Sequence, residues 1–127
     1  ISLIGWSLGG IYAREVAKRL AGRVRRVITI GTPFAGRPNH TNATLVYRLV
    51  NGKKPPFNAA LARHLAAAPR VPTTSIYSRT DGVVPWQACL QKGQGRLSEN
   101  IEVTGSHCGL GWNRAVFRIV ADRLRQR

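Results

Sequence analysis

The sequence lacks methionine and has only five acidic residues, two cysteines and no long apolar run among its 127 residues. No apolar stretch approaches the roughly 18 residues that a membrane-spanning helix needs, so we expect no transmembrane segment. The first residue, Ile1, begins a short apolar run instead of a polar leader. We therefore expect the chain to be a piece of a longer protein. A signal region would lie in the missing part, which leaves the location open between cytoplasm and export.

With 20 Lys and Arg against five acidic residues, the chain has a net charge of +15. Such a charge favours partners such as nucleic acid or an anionic membrane surface. The basic residues are spread over the whole chain, however, and no zinc-finger, RNA-recognition or Walker spacing accompanies them. We therefore do not expect dedicated nucleic-acid binding. A basic module that binds anionic lipid or nucleic acid remains the alternative to an enzyme.

The two cysteines, Cys89 and Cys108, are too few for a disulfide framework and lack metal-ligand spacing. A single bridge between them and a pair of free thiols are both compatible with the sequence, because their separation in space is unknown. We predict no metal site.

Hydrophobic periodicity predicts a strand over 1–5 and an amphipathic helix over 8–21. The helix repeats apolar residues every four positions, at Leu8, Tyr12, Val16 and Leu20. Gly22 suits the left-handed position after a helix. A second, β-branched strand is predicted over 24–31 and ends at Gly31-Thr32-Pro33.

The remaining segments predict helices over 37–70, then two strands and a last helix. The segment 37–70 contains TLVYRLV, ended by Gly52, and an Ala-rich helix begun at Asn58. Strands follow at 73–78 and 100–105, and Asn113 caps the final helix. The alternation of strands and helices predicts a single α/β domain with a mostly parallel sheet covered on both faces.

The pentapeptide Gly5-Trp6-Ser7-Leu8-Gly9 lies between the first predicted strand and helix. A G-x-S-x-G turn at such a junction projects the Ser hydroxyl above the sheet, and its glycines let neighbouring backbone approach. We therefore predict Ser7 as a nucleophile, with the Leu8 N–H at the helix N-terminus as an oxyanion donor. A turn that only packs, or that binds an anion, is the alternative.

A serine nucleophile needs a base and an acid that orients it. His107 follows the predicted strand 100–105, whereas His40 and His64 are expected at the surface. Asp81 follows the strand 73–78, and its alternative is a turn-forming Asp-Gly. Glu15 and Asp122 lie on helices among basic neighbours, where ion pairing is expected, whereas Glu99 and Glu102 lie at the start of, or within, the strand before His107. We predict that Asp81 orients His107.

The order Ser7, Asp81, His107 resembles the α/β-hydrolase arrangement of the lipase and esterase type, with the landmarks GWSLGG, TDGVV and GSHCGL. The segment GTPFAG resembles the loop near the acyl pocket. The resemblance implies a partial α/β-hydrolase fold, equivalent to the last four strands of the family, with 37–70 as a helical cap-like insertion. The earlier strands and the second oxyanion donor would lie in the missing amino-terminal part.

The resemblance implies a serine hydrolase that cleaves carboxylic, lipid-like or acyl esters through an acyl-enzyme, without a cofactor. Its partners would be the small ester substrate and the missing part of its own domain. The substrate-binding residues would be Trp6, Thr32, Pro33 and Phe34, although both Trp6 and Trp86 could equally be core aromatics. An acyltransferase with the same three residues remains an alternative.

Overall fold

The computed structural model describes residues 1–35, 59–93 and 95–127. Its four strands form one sheet whose spatial order follows the chain, and every pairing is parallel. The strands are β1 (Ser2–Trp6), β2 (Arg26–Ile30), β3 (Thr73–Tyr77) and β4 (Ser98–Glu102). This architecture confirms the α/β fold with a parallel sheet.

In the described part of the chain, three α-helices accompany the sheet: α1 (Leu8–Arg19), α2 (Ala59–Ala66) and α3 (Arg114–Arg125). Short 3-10 turns occupy Ala21–Arg23, Trp86–Cys89 and Gly109–Trp112. The side chain of Asn113 accepts from the N–H groups of Ala115 and Val116, so the predicted cap of the last helix is confirmed. In the described ranges, no helix has the length and apolar character that a bilayer crossing requires.

Apolar side chains cover both faces of the sheet, as the sequence predicts. Successive residues of a strand point to opposite faces, so Val27 and Ile28 enter different clusters. The cluster on the α1 face contains Ala13, Ala17, Val24, Val27 and Val71. The cluster on the α3 face contains Ile28, Ile30, Ile76, Val103, Leu110 and Val116. Helices α1 and α3 therefore each bury an apolar side against the sheet, which lies between these two helices.

Several predicted boundaries are wrong in detail: β2 covers Arg26–Ile30 and not 24–31, and β4 covers Ser98–Glu102 and not 100–105. Helix α1 ends at Arg19, and the N–H groups of Arg23 and Val24 bond to the carbonyl of Leu20 in a 3-10 turn. Gly22 lies inside that turn without a positive φ, so the left-handed cap does not form there. Strand β4 begins at 98, because its pairing with β3 starts at Thr73 opposite Ser98.

Part of the predicted cap-like insertion lies outside the described residues. This holds for the TLVYRLV helix, for His40 and for Asn58 as the start of the Ala-rich helix. Within 37–70, helix α2 is described and confirms a helix in the Ala-rich stretch.

The carboxyl ends of the four strands define one edge of the sheet, because all strands run in the same direction. Ser7 follows β1, Gly31 follows β2, Ser78 follows β3 and Val103 follows β4. In open parallel sheets this edge is where ligand sites assemble. The predicted nucleophile, acid and base all come from these connections.

Candidate active site

Ser7 occupies the sharp turn between β1 and α1. Its φ of 51° is in the left-handed region, and it is the one non-glycine residue with a positive φ in the described ranges. The N–H of Ser7 donates to the carbonyl of Ile30 at 2.8 Å, which ties the turn to β2. A strained backbone at a strand–helix junction is the geometry that exposes a nucleophilic hydroxyl.

Close approach around Ser7 depends on Gly5 of the pentapeptide and on Gly10 just after it, but not on Gly9. A Cβ at Gly5 would lie 2.4 Å from backbone atoms of Gly9 and Gly10. A Cβ at Gly10 would lie 1.9 Å from the hydroxyl oxygen of Thr32. At Gly9 a Cβ meets no described atom within 4 Å. The tight contact is therefore between α1, β1 and Thr32.

The three predicted side chains form one hydrogen-bonded chain. Oγ of Ser7 lies 3.0 Å from Nε2 of His107. Nδ1 of the same ring lies 2.8 Å from Oδ2 of Asp81. Asp81 and His107 are 4% and 7% exposed, so their contact is shielded from water. Residues 100 positions apart in sequence thus meet at one edge of the sheet.

The carboxylate of Asp81 is held by backbone donors. Its Oδ1 accepts from the N–H of Val83 at 3.0 Å and from the N–H of Val84 at 2.7 Å. Its backbone carbonyl accepts from the N–H of His107 at 2.9 Å. Because Oδ1 is occupied, Oδ2 is the oxygen that faces the imidazole. The Asp-Gly turn is therefore compatible with the predicted acid role, because the turn fixes the carboxylate.

Sequence reasoning missed two hydroxyl residues that join the acid loop to the histidine loop. Oγ of Ser78 donates to the carbonyl of Gly105 at 2.8 Å, and the N–H of Gly105 lies 3.1 Å from the same oxygen. Thr80 makes the corresponding pair of contacts at 3.2 Å. Hydroxyl residues on both sides of Arg79, directly after a strand end, are the signal that could have indicated this connection.

Gly31 lies beneath the Asp81–His107 contact, with a φ of 53°. A Cβ there would lie 3.0 Å from Cδ1 of Leu110, 3.3 Å from Oδ2 of Asp81 and 3.4 Å from Nδ1 of His107. The end of β2 therefore passes close under the pair only because the residue has no side chain.

The predicted substrate-binding residues lie in two different environments. Thr32, Pro33 and Phe34 are buried, and Phe34 lies under the guanidinium of Arg14, 3.6 Å from its ring centroid. Trp6 is 45% exposed, and its Nε1 donates to the carbonyl of His107 at 3.1 Å. The structure thus places Trp6 beside the histidine loop, whereas the other three residues make packing contacts. Their role toward a substrate stays a prediction.

The second tryptophan, Trp86, belongs to an aromatic stack at the side of the acid loop. Its ring lies 5.9 Å from that of Tyr77, and the guanidinium of Arg79 covers it at 4.4 Å. These contacts favour the packing alternative for Trp86.

Cys89 and Cys108 are free thiols in the structure, so the bridge that the sequence left open does not form there. Cys89 is buried beside Val84 and Ala88, whereas Cys108 is exposed next to His107. Burial, with the charge of Asp81 nearby, raises the pKa of the Cys89 thiol to about 12. Cys89 is therefore an inert structural thiol at neutral pH.

The remaining acidic residues form ion pairs, which confirms the prediction for Glu15 and Asp122 and adds Glu99 and Glu102. Glu15 contacts Lys18 at 2.7 Å and His64 at 2.6 Å, which confirms a surface role for His64. Glu99 and Asp122 both bind Arg123, and Glu102 binds Arg79. Among the described residues, no group of three His, Cys, Asp or Glu side chains is placed to hold a metal ion.

No family model matches the sequence, and no curated protein matches it. Solved structures do match its fold. An α/β-superfamily hydrolase from Oenococcus oeni superposes with a TM-score of 0.67 at 15% identity, over 99% of this chain and 67% of that one. The mouse α/β hydrolase domain-containing protein 10 gives 0.61 at 16% identity, over 97% and 59%. The chain has a partial α/β-hydrolase fold.

A further match is the esterase domain of a Rhodothermus marinus protein, with a TM-score of 0.62 at 22% identity. It covers 97% of this chain and 58% of that one. The chain thus spans about three-fifths of the length of two of these α/β hydrolases and two-thirds of the third. The fold of these structures therefore agrees with the α/β-hydrolase resemblance of the sequence.

Proposed function

We propose that the chain is the nucleophile-bearing part of a serine hydrolase that cleaves carboxylic esters. The observation that carries the proposal is the contact chain from Ser7 through His107 to Asp81, which starts at a strained strand–helix turn. The matched structures support it, since one is named an esterase domain and others are named hydrolases. Lipid-like or acyl esters are the proposed substrate class.

In the proposed reaction, the oxygen of Ser7 attacks the ester carbonyl while Nε2 of His107 takes the hydroxyl proton. Because Nδ1 of His107 faces the Asp81 carboxylate at 2.8 Å, Nδ1 carries a proton and Nε2 is free to accept one. Asp81 then stabilises the imidazolium. His107 gives the proton to the alcohol as the ester C–O bond breaks, which leaves the acyl group on Ser7. Water, deprotonated by His107, then attacks this acyl carbon, and the acid leaves as His107 returns the proton to Ser7.

The tetrahedral intermediate needs donors for its oxyanion. Leu8 is the first residue of α1, so its N–H has no acceptor within the helix and lies at the positive end of the helix dipole. We assign it as one oxyanion donor. A second donor from elsewhere in a complete domain would add about 3 kcal/mol of transition-state stabilisation, which is typical of one such contact.

Active-site labelling with a fluorophosphonate, measured by intact mass, tests the proposal. An activated Ser7 forms one covalent adduct, and both Ser7→Ala and His107→Ala abolish it. Ser106→Ala is the matched control, because Ser106 lies beside His107 and its hydroxyl, among the described residues, accepts a single hydrogen bond, from the N–H of Gly109. Its labelling should stay within about twofold of the parent chain.

Hydrolysis of p-nitrophenyl acyl esters of two to twelve carbons tests the substrate class. Turnover that depends on Ser7 supports an esterase, whereas labelling without turnover of any ester argues for a different acyl donor or acceptor. Labelling that survives Ser7→Ala would overturn the assignment of the nucleophile.

A further inference from the structure

The opposite edge of the sheet, where the strands begin, carries a cavity whose lining includes three arginines. This cavity of about 320 Å³ opens at the first residues of β2, β3 and β4. Each strand has five residues, so about 13 Å of sheet separates this edge from the one that carries Ser7. The cavity is lined by Arg26, Pro72, Thr73, Thr74, Arg96, Leu97, Ser98, Glu99, Arg123 and Gln126.

The lining is strongly cationic. Three arginines face one carboxylate, Glu99, and that carboxylate is already occupied. Its Oε1 and Oε2 accept from Arg123 at 2.5 and 3.0 Å, and Oε1 also accepts from the hydroxyl of Thr74 at 2.7 Å. Glu99 therefore pairs with Arg123, which also binds Asp122 outside the lining of the cavity. The charges of Arg26 and Arg96 are left without a carboxylate among the residues that line the cavity.

Arg26 is the most unusual of the three arginines, because this charged side chain is only 6% exposed. Its Nε is buried and has no hydrogen-bond partner among the described residues. One Nη2 contact, at 3.4 Å to Oε1 of Gln126, is long for a hydrogen bond. A buried guanidinium with unused donors is costly unless an acceptor is supplied.

Neighbouring cations add to this cost. Burial, followed by repulsion from Arg25 and Arg123, lowers the pKa of Arg26, while the carboxylates of Glu99 and Asp122 oppose the shift. An anion bound in the cavity would place negative charge beside Arg26 and so offset this repulsion.

We propose that the cavity binds the phosphate group of a small phosphomonoester. A phosphate carries about two negative charges at neutral pH, which matches the two uncompensated arginines, and its oxygens accept forked guanidinium donors. Ser98 adds a hydroxyl at the wall. The volume is at the lower end of the range for small-molecule sites, so the cavity has room for a short organic group beside the phosphate.

Calorimetric titration of the chain tests the site, with inorganic phosphate and glycerol 3-phosphate as probes at constant ionic strength. We expect one saturable site, with tighter binding of glycerol 3-phosphate than of phosphate. Arg26→Gln and Arg96→Gln should each weaken binding about tenfold, the effect of one lost charge-assisted hydrogen bond. Arg118→Gln, an exposed arginine on α3 outside the cavity, is the matched control and should leave affinity unchanged.

Each outcome decides for or against the proposal. Equal weakening by Arg118→Gln would show a response to net charge only and would overturn it, as would the absence of saturable binding. Equal affinity for the two probes would overturn the organic part and retain an inorganic phosphate site. Arg96 is exposed, so Arg96→Gln remains informative if Arg26→Gln does not fold. Fluorophosphonate labelling of Ser7 in the same variants keeps this test separate from that of the proposed hydrolase.

Discussion

At the scale of single residues, the geometry of the proposed site depends on what lies under and around one imidazole ring. Asp81 is fixed by the N–H groups of Val83 and Val84, and Trp6 donates to the carbonyl of His107. Gly31 completes the arrangement, because it brings β2 close to both members of the pair without a side chain.

Gly31→Ala should therefore impair labelling of Ser7 strongly, although the substitution adds only one methyl group. The new Cβ would lie 3.3 Å from Oδ2 of Asp81 and 3.4 Å from Nδ1 of His107, at a residue with a φ of 53°. We expect the rate of fluorophosphonate labelling to fall at least about tenfold, since small displacements of reacting groups are costly. We also expect a loss of about 1–2 kcal/mol in the free energy of unfolding.

Gly93→Ala is the matched control for this substitution. Gly93 also has a positive φ, of 64°, but a Cβ there meets no described atom within 4 Å. It should lose similar stability and keep its labelling rate. If both variants lose labelling equally, backbone strain and not contact with the Asp81–His107 pair explains the effect.

The two cysteines give a second prediction at this scale. Cys108 is exposed, whereas burial raises the pKa of Cys89 to about 12, so the thiolate of Cys89 is rare at pH 8. A disulfide reagent should modify Cys108 at least about 100-fold faster than Cys89 in the folded chain. Denaturant without reductant should expose both thiols. Cys108→Ser should remove the fast phase of modification. If the denatured chain without reductant has no reactive thiol, the two cysteines form a disulfide bridge instead.

At the scale of elements, Arg14 connects α1 to three other segments. Its guanidinium covers the ring of Phe34, and its Nη2 donates to Oε1 of Gln91 at 2.8 Å and to the carbonyl of Ala67 at 3.0 Å. The carbonyls at the end of α2 carry the negative end of that helix dipole, which favours a nearby cation. Burial nevertheless lowers the pKa of Arg14 to about 10, and its Nε and Nη1 have no described partner.

Two substitutions separate the packing of Arg14 from its charge. Arg14→Ala should lower the free energy of unfolding by about 3 kcal/mol, because it leaves a cavity and unpaired acceptors. Arg14→Met should recover more than half of that loss, since Met fills the space on Phe34 without burying a charge. Urea unfolding measures both, with the exposed Arg19→Ala on the same helix as a control. Equal losses for Ala and Met would show that the charged hydrogen bonds dominate.

At the scale of the whole molecule, the sheet has an outer strand with an apolar surface. Strand β1 pairs with β2 on one side, and among the described residues no strand pairs with its other side. Ile4 and Trp6 on this strand are 48% and 45% exposed. An apolar edge strand of this kind is a site for pairing with another chain.

We expect the isolated chain to self-associate through this edge, and Ile4→Lys to shift it toward monomer. A lysine on an edge strand opposes pairing by burying a charge in the interface. Sedimentation velocity over a concentration series measures the shift. Phe117→Lys on α3, at a residue 53% exposed, adds the same charge away from the edge and should have little effect. A larger effect of Phe117→Lys would locate the association on α3.

The sequence alone determined the parallel α/β architecture and the three residues of the proposed site. Alternating strand and helix patterns set the fold, and the G-x-S-x-G turn between β1 and α1 singled out Ser7. Asp81 and His107 could be chosen because each follows a strand, and parallel strands end at one edge. Local patterns suffice for such features because they are set by periodicity and chain direction.

Only the tertiary structure decided which contacts hold those residues in place. The donors from Ser78 and Thr80 to Gly105, the space under Asp81 that Gly31 leaves, and the close approach of Gly10 to Thr32 all join distant segments. The same is true of Arg26, an ordinary first residue of a strand in sequence, whose burial beside two other arginines forms the cavity. Such contacts depend on how helices and strands pack, and no local pattern records that packing.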